Sequence, residues 1–343
     1  MKKILLIRSR DKSGWHSQNQ VHRQLEKAYR TAFPESCSVI ESADGRLVRR
    51  LSLESADRIV LLDHHLDFSR LANGLKPLLA SKPGLNVHLF ADFLTRPGQI
   101  SAALALKSRL KVKFFVASRW MKAEVLKKIP GADVAVLPSP VSDVFFETPL
   151  GKPAKRLPRW VYAGRIHPDK GLDQFLEHLL RLDALPFQFE ILGDWSDNRY
   201  ESWSATPDDF AFRQKKLKSL IDVLGLKPRL MRTESSLADS FRDFDAFVFP
   251  SIFKCEEYGY ALAQALAAGK NCWISDWRGH RDFSGCPGVR MIRVLESEAI
   301  PRLDFHEAFQ SGNSSARALP AEIRSWAYRN HSVAAAAAKL KTS

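Results

Sequence analysis

Long apolar runs are missing from this chain of 343 residues. None approaches the ~18–20 residues needed to cross a bilayer, which argues against a membrane-spanning helix. Cysteine is scarce too. Cys37, Cys255, Cys272 and Cys286 show no CxxC or Cys/His spacing, so neither a zinc site nor a disulfide scaffold is indicated. Four thiols in a chain of this length fit a reducing compartment. Aromatic residues are seldom interleaved with basic ones in the first half, which weakens a single-strand platform, and no nucleic-acid-binding motif occurs. No nucleic acid partner is therefore expected. The opening "MKKILLIRSRDK" lacks a full signal-peptide core and a small-residue cleavage site. It reads as a first buried strand, and a cytoplasmic protein is expected.

Acidic residues are in deficit. The chain carries 52 Lys and Arg against 38 Asp and Glu, a formal charge of +14. Residues 1–150 hold 24 basic against 14 acidic residues, and the remainder 28 against 24. The excess thus sits in the first half, in segments with Arg46, Arg49, Arg50, Lys107, Arg109, Lys111, Lys113, Lys122, Lys127 and Lys128. Such a surface suits an acidic substrate or an anionic membrane, or is merely a soluble basic face. Overall composition, with 45% hydrophobic and 26% charged residues, is that of an ordinary globular chain.

What is present is alternation. "KKILLIRS", "DRIVLLDHH", "NVHLFADF" and "VKFFVASRW" read as strands, with an amphipathic helix over 18–33 and a closing "ADVAVLPSPV". Near-continuous apolar strands between helices predict a parallel sheet covered on both faces. "ETPLGKPAKRLPRW", with three prolines, reads as a linker. The alternation then restarts with "RWVYAGR", a helix over 172–182, "FQFEILGD", a helix over 214–224, "PRLMRT", a helix over 235–241, "DAFVFPS", an alanine-rich helix beginning near Tyr258, and "KNCWISD". "AEIRSWAYRNHSVAAAAAKLK" reads as a terminal helix. The fold class is α/β, with two doubly wound Rossmann-like domains over 1–150 and 157–324. Two such sheets facing each other leave a cleft, and ligands bind beyond the carboxyl ends of the strands.

Two strand ends carry chemistry. In "WVYAGRIHPDKGLDQFLEHLL", Gly164 permits a tight exit, Arg165 can fork onto two phosphate oxygens and Lys170 adds a point charge. In "FPSIFKCEEYGYALAQALAAGK", a strand stops at Pro250 and a helix begins near Tyr258. A helix N-terminus suits a diphosphate, and the carboxylates of Glu256 and Glu257 just ahead of it can accept from sugar hydroxyls. On the plainer reading these are solvated cations and first-turn acids. His64 and His65 follow "RIVLLD", and Asp92 follows "NVHLF". They are candidates to orient an acceptor hydroxyl or take its proton, or else ordinary loop residues. The "DFD" at Asp243 to Asp245 imitates a metal-binding DxD but precedes a buried strand, so no metal is expected.

Together the two segments resemble the glycosyltransferases of family 4, which have the GT-B fold. "YAGRIHPDKGLDQFLE" is similar to that family's GR-x-x-x-x-KG, and "FVFPSIFKCEEYGYALAQALAAGK" to its PS-x-x-EGFG-x-x-x-x-EA-x-A-x-G. Ser118 in "FFVASRW" and the stretch "VLPSPVSDVFF" extend the likeness into the first half. The resemblance implies a nucleotide-diphosphate-sugar as donor and co-substrate and no separate cofactor. It also implies a saccharide acceptor, retention of configuration, and a terminal helix (about 325–343) returning to the first domain, while the basic first half suggests an acidic or membrane-borne acceptor such as a lipid-linked glycan. It assigns Arg165 and Lys170 to the diphosphate, Glu256 to the sugar hydroxyls and Gln264 to the ribose. The backbone from Tyr258 through Gly259 and Tyr260 to Ala261 goes to the diphosphate. Met231, Arg232 and Thr233 lie by the nucleobase, and Gly193 and Asp194 line the cleft. The counterpart of "SDWRGHRDF" lies near the donor site, which makes Arg278 or His280 a candidate to meet donor charge, the alternative being a basic surface loop.

The chain departs from the family in three places. Gln264 stands where glutamate is usual, Glu257 where glycine is usual, and the loop "RSRDKSGWHSQNQ" lacks the usual glycine pair. Gln264 cannot accept two charge-assisted bonds. These departures keep a second reading open, a protein of this fold that binds nucleotide or glycan without turnover. An epimerase or phosphorylase on the same fold is a further alternative.

Overall fold

The protein, as a computed structural model, is described over residues 3–9, 16–42, 56–62, 84–150, 157–196, 202–204, 206–231, 233–296, 299–306, 308 and 318–343. It divides into two units, Met1–Pro140 with Asn330–Ser343, and Val141–Arg329.

The first unit is built on six strands, β1 (Ile4–Ser9), β2 (Cys37–Ser42), β3 (Arg58–Leu61), β4 (Gly84–His88), β5 (Val112–Val116) and β6 (Asp133–Val136). They lie in the order β2-β1-β3-β4-β5-β6, all parallel. Ile4, Leu5, Leu6 and Ile7 are all buried, because helices cover both faces of a parallel sheet and leave no polar side. Leu5, Ile7, Ile59, Leu61, Val87 and Phe114 belong to one core cluster. The strand β2 was not read in the sequence, since "CSVIES" is a short, half-polar edge segment. At His88 the chain leaves the sheet and forms a short turn of 3-10 helix over Ala91–Thr95, so "NVHLFADF" is strand only in its first part. The helix Val333–Thr342 packs on the helix His16–Ala32. The expected single terminal helix is two, Pro320–His331 and Val333–Thr342. Ser332 breaks it by capping the second, its hydroxyl accepting from the backbone of Ala335.

The second unit contains β7 (Arg159–Ala163), β8 (Gln188–Leu192), β9 (Ala246–Phe249), β10 (Asn271–Ser275), β11 (Val289–Leu295) and β12 (Arg302–Asp304). Their order is β12-β11-β10-β9-β7-β8, parallel except for β12, which runs antiparallel on the edge. The predicted strand at "PRLMRT" is reduced to one bridge, Arg229 with Leu192. Pro228 offers no N–H to a ladder and Leu230 is exposed. The helix Pro207–Val223 starts seven residues before the predicted one. Its start carries a cap that the hydrophobic pattern passed over, Thr206 accepting from Asp209 N with Pro207 at the first helical position. Strand order reverses between β7 and β9. In open sheets of this kind that switch point opens a crevice beyond the carboxyl ends of the strands. Both motif segments leave the sheet there.

Candidate functional site

The site builds up from two loops at this switch point. After β7 the chain passes through Gly164 and Arg165 to Lys170, in a short turn over Pro168–Lys170 that precedes the helix Leu172–Leu180. After β9 it runs from Pro250 to Gly259 and enters the helix Tyr260–Ala267. The loops are tied directly, since Ile252 N donates to the carbonyl of Asp169 at 3.1 Å. The Asp169 carboxylate is fully buried and takes Arg213 Nη1 at 2.6 Å and Trp203 N at 2.9 Å. Thus the residue beside Lys170 is fixed from three sides.

Lys170 and Glu256 meet at the centre. Lys170 Nζ lies 2.6 Å from Glu256 Oε2, and Ser251 Oγ donates to the same oxygen at 2.5 Å. Both charged residues are buried. Burial, the largest single influence, would raise the carboxyl of Glu256, but the Lys170 and His280 charges and the hydrogen bonds from Lys170 and Ser251 together outweigh it and bring the group down to about 2. Lys170 Nζ also stands 4.5 Å over the ring of Phe253, and the guanidinium of Arg165 stands 5.3 Å over that ring. His280, fully buried, closes the cluster with Nε2 at 4.0 Å from Glu256 Oε1. Burial and then Lys170 lower this histidine to about 4, against the pull of Glu256. It is neutral at physiological pH, so its contact with Glu256 is not an ion pair there. Its Nδ1 faces Ser275 Oγ at 2.9 Å.

Two indoles hold the β9 loop. Trp203 Nε1 donates to Ile252 O at 2.6 Å and Trp277 Nε1 to Phe253 O at 2.8 Å. Their rings meet edge to face with centroids 6.0 Å apart. On the far side, a Cβ at Gly279 would fall 1.8 Å from Glu257 O, so only glycine allows this approach. Gly193 is equally tight, with a Cβ there 1.9 Å from Gly164 O. That contact brings the exits of β7 and β8 together.

The other assigned residues fall as follows. Asp194 is exposed, and its Oδ1 accepts from Trp195 N at 2.8 Å. Met231 is half-buried and its sulfur takes Ser240 Oγ at 3.5 Å. Thr233 caps the helix Glu234–Arg242 through a capping box with Ser236. Tyr258 is buried against Phe283, while Glu257, Tyr260 and Ala261 are half-buried. Gly259 is the residue before the helix, which begins two residues later than the predicted Tyr258. Gln264 is buried, and the Tyr260 hydroxyl bonds to it and approaches Glu234 Oε1 at 3.4 Å. Arg232, His64 and His65 lie outside the described residues, as does the side chain of Asp92. Asp245 of the "DFD" accepts from Arg159 N at 2.8 Å, which anchors the start of β7. The spacing rules did not single out Ser251, Asp169, Arg213, Trp203 or Trp277. The sequence signal for Ser251 is its place just past the buried strand β9, separated from it only by Pro250.

Residues 157–298 match the family described as Glycosyl transferases group 1. The lipopolysaccharide 1,2-N-acetylglucosaminetransferase of Salmonella typhimurium is 24% identical over 206 residues, covering 55% of this chain and 51% of that protein. The match therefore spans about half the length of that relative. Among solved structures, HepE of Anabaena in complex with UDP and glucose covers 100% of this chain and 99% of its own, with a TM-score of 0.69 and 13% identity. The lipopolysaccharide outer core galactosyltransferase WaaB covers 97% of each, with a TM-score of 0.65 and 14% identity. At such identities the likeness shows the fold, which is GT-B, with two Rossmann-like units.

Proposed function

Taking the match of its second unit to glycosyl transferases group 1 as the premise, we propose that this protein transfers a sugar from a nucleotide-diphosphate-sugar to a saccharide acceptor. The acceptor belongs to lipopolysaccharide or a related glycan, with configuration retained and no metal. One observation carries the reading. At the switch point between β7 and β9, in the matched segment, Lys170 and Arg165 converge on Phe253 while Lys170 pairs with Glu256 at 2.6 Å. This is a cationic seat with a carboxylate beside it, the two functions that a diphosphate and a sugar hydroxyl require. Arg165 and Lys170 stabilise the departing diphosphate. Glu256, ionised at any physiological pH, accepts from the sugar. Relatives solved with UDP and a hexose and a relative named for lipopolysaccharide support the donor and acceptor classes. The basic first half, with Lys122, Lys127 and Lys128 on the helix Arg119–Lys128, supports an approach to an anionic membrane surface. Equal sedimentation with anionic and neutral liposomes would remove that part.

A donor screen by thermal shift tests the whole, because a bound ligand raises stability by mass action. UDP or a UDP-sugar is expected to raise the Tm of the wild type. Metal independence is read by adding EDTA, which leaves transfer unchanged, and retention by the anomeric configuration of the product. A second reading, binding without turnover, is favoured by the amide of Gln264 and by the neutralisation of Lys170 within the protein. It predicts a thermal shift with no release of nucleotide from any donor.

A further inference from the structure

The helix Pro207–Val223 buries Phe210, Arg213, Leu217 and Ile221. Three of these four are apolar residues at helical spacing, and the other is an arginine in a core position. Its partner, Asp169, is fully buried, with Oδ1 at 2.6 Å from Arg213 Nη1. An apolar pair of similar volume would serve stability as well or better, so the charges there point to placement rather than strength.

What the pair places is the turn that carries Lys170. His167 Nδ1 accepts from Asp169 N at 3.1 Å, and a Cβ at Gly171 would fall 2.1 Å from Pro250 O. The turn is thus pressed onto the β9 loop, with a carboxylate and a cation adjacent in sequence. Asp169 and Glu256 are buried carboxylates, and Arg213 and Lys170 are buried cations. They sort into two pairs, Arg213 with Asp169 and Lys170 with Glu256, each at 2.6 Å. Arg213 Nη1 also donates to Ser204 Oγ at 3.2 Å, beside Trp203, whose indole holds Ile252 O. The connection that supplies Trp203 and Ser204 runs over 193–206, well beyond the ~4–6 residues usual between elements. One guanidinium therefore ties this connection to the turn before Lys170.

Resting on the transfer reading above, we infer that Arg213 is a positioning residue of the site. By answering the Asp169 carboxylate, it leaves Lys170 to Glu256 and to the departing diphosphate. Without Arg213, the nearest cation to Asp169 along the chain is Lys170 itself, and a Lys170 drawn to Asp169 is lost to the diphosphate.

The experiment follows nucleotide release from UDP-glucose, GDP-mannose and ADP-glucose with lipopolysaccharide core acceptors. It compares wild type, Arg213→Met, Lys170→Ala and the two substitutions combined, with the Tm of each. Arg213→Met is expected to lower kcat about 10- to 100-fold, the cost of a misplaced group, with KM for the nucleotide-sugar little changed. In the Lys170→Ala background the same substitution is expected to leave kcat unchanged, because a residue that acts through another has no effect once that other is gone. An equal further loss in that background overturns the inference, since a purely structural role lowers Tm and kcat in both. Where Arg213→Met does not fold, Arg213→Met with Asp169→Asn removes both charges and decides. A kcat near that of the wild type is expected, and one as low as that of Lys170→Ala overturns the inference. A wild type that releases nucleotide from none of the three overturns the transfer reading and this inference with it.

Discussion

At the scale of single residues, the central pair is Lys170 with Glu256. A buried pair of this kind adds little stability over a well-packed apolar pair, but loss of one partner strands the other charge. Lys170→Met is therefore expected to cost about 3–5 kcal/mol in urea unfolding at neutral pH. The double variant Lys170→Met with Glu256→Gln is expected to cost clearly less than the sum of the two single variants. Additive losses would mean that the 2.6 Å contact is not formed in solution. The residues named from the sequence at this point, Lys170, Arg165 and Glu256, are those that the structure brings together. Gln264, assigned to a ribose by the resemblance, is buried beside the Tyr260 hydroxyl.

At the scale of elements, the loop between β9 and the helix Tyr260–Ala267 is held by groups distant in sequence. Trp203 and Trp277 bond to its consecutive carbonyls, and Gly279 seats it from behind. Gly279→Ala would push a Cβ to 1.8 Å from Glu257 O, so the loop must move. The expected result is a folded protein with unaltered far-UV circular dichroism and donor affinity reduced at least about tenfold, a loss of ~1.4 kcal/mol. Full affinity would show that the loop tolerates displacement. The strands that carry the site were legible because each is a run of apolar residues ending in a loop. The misses, β2, β11, β12 and the shrunken "PRLMRT" strand, lie toward or at sheet edges. There half the surface is polar and apolar patterning fades.

At the scale of the whole molecule, several buried histidines stay neutral. Burial lowers His88 and His331 to about 3 in the first unit and His280 to about 4 in the second. An unfolded histidine titrates near ~6.5. Each contribution is therefore complete above that pH and lost as pH falls toward the folded value, at about 1.4 kcal/mol per pH unit per group. Glu256, depressed to about 2, adds a loss that begins near ~4.3. Asp173, raised by burial to about 6, works the other way and restores stability as pH falls through that value. The balance predicts a Tm that declines from pH 7 to pH 5, and a flat profile would contradict the neutral burial of these histidines. The two-domain α/β architecture was readable from the alternation alone, and the cluster at the β7–β9 switch point from its two motifs. His64, His65 and Asp92 rested only on their place after strands. The most direct test of the account is nucleotide release from a panel of nucleotide-sugars incubated with lipopolysaccharide core acceptors, in wild type and in Lys170→Ala and Arg165→Ala. The prediction is acceptor-dependent release of nucleoside diphosphate from at least one donor, slowed about 10²–10³-fold in each variant, as when an electrostatic stabiliser is removed. Release at the same rate in all three proteins, or none from any donor in the wild type, would contradict it.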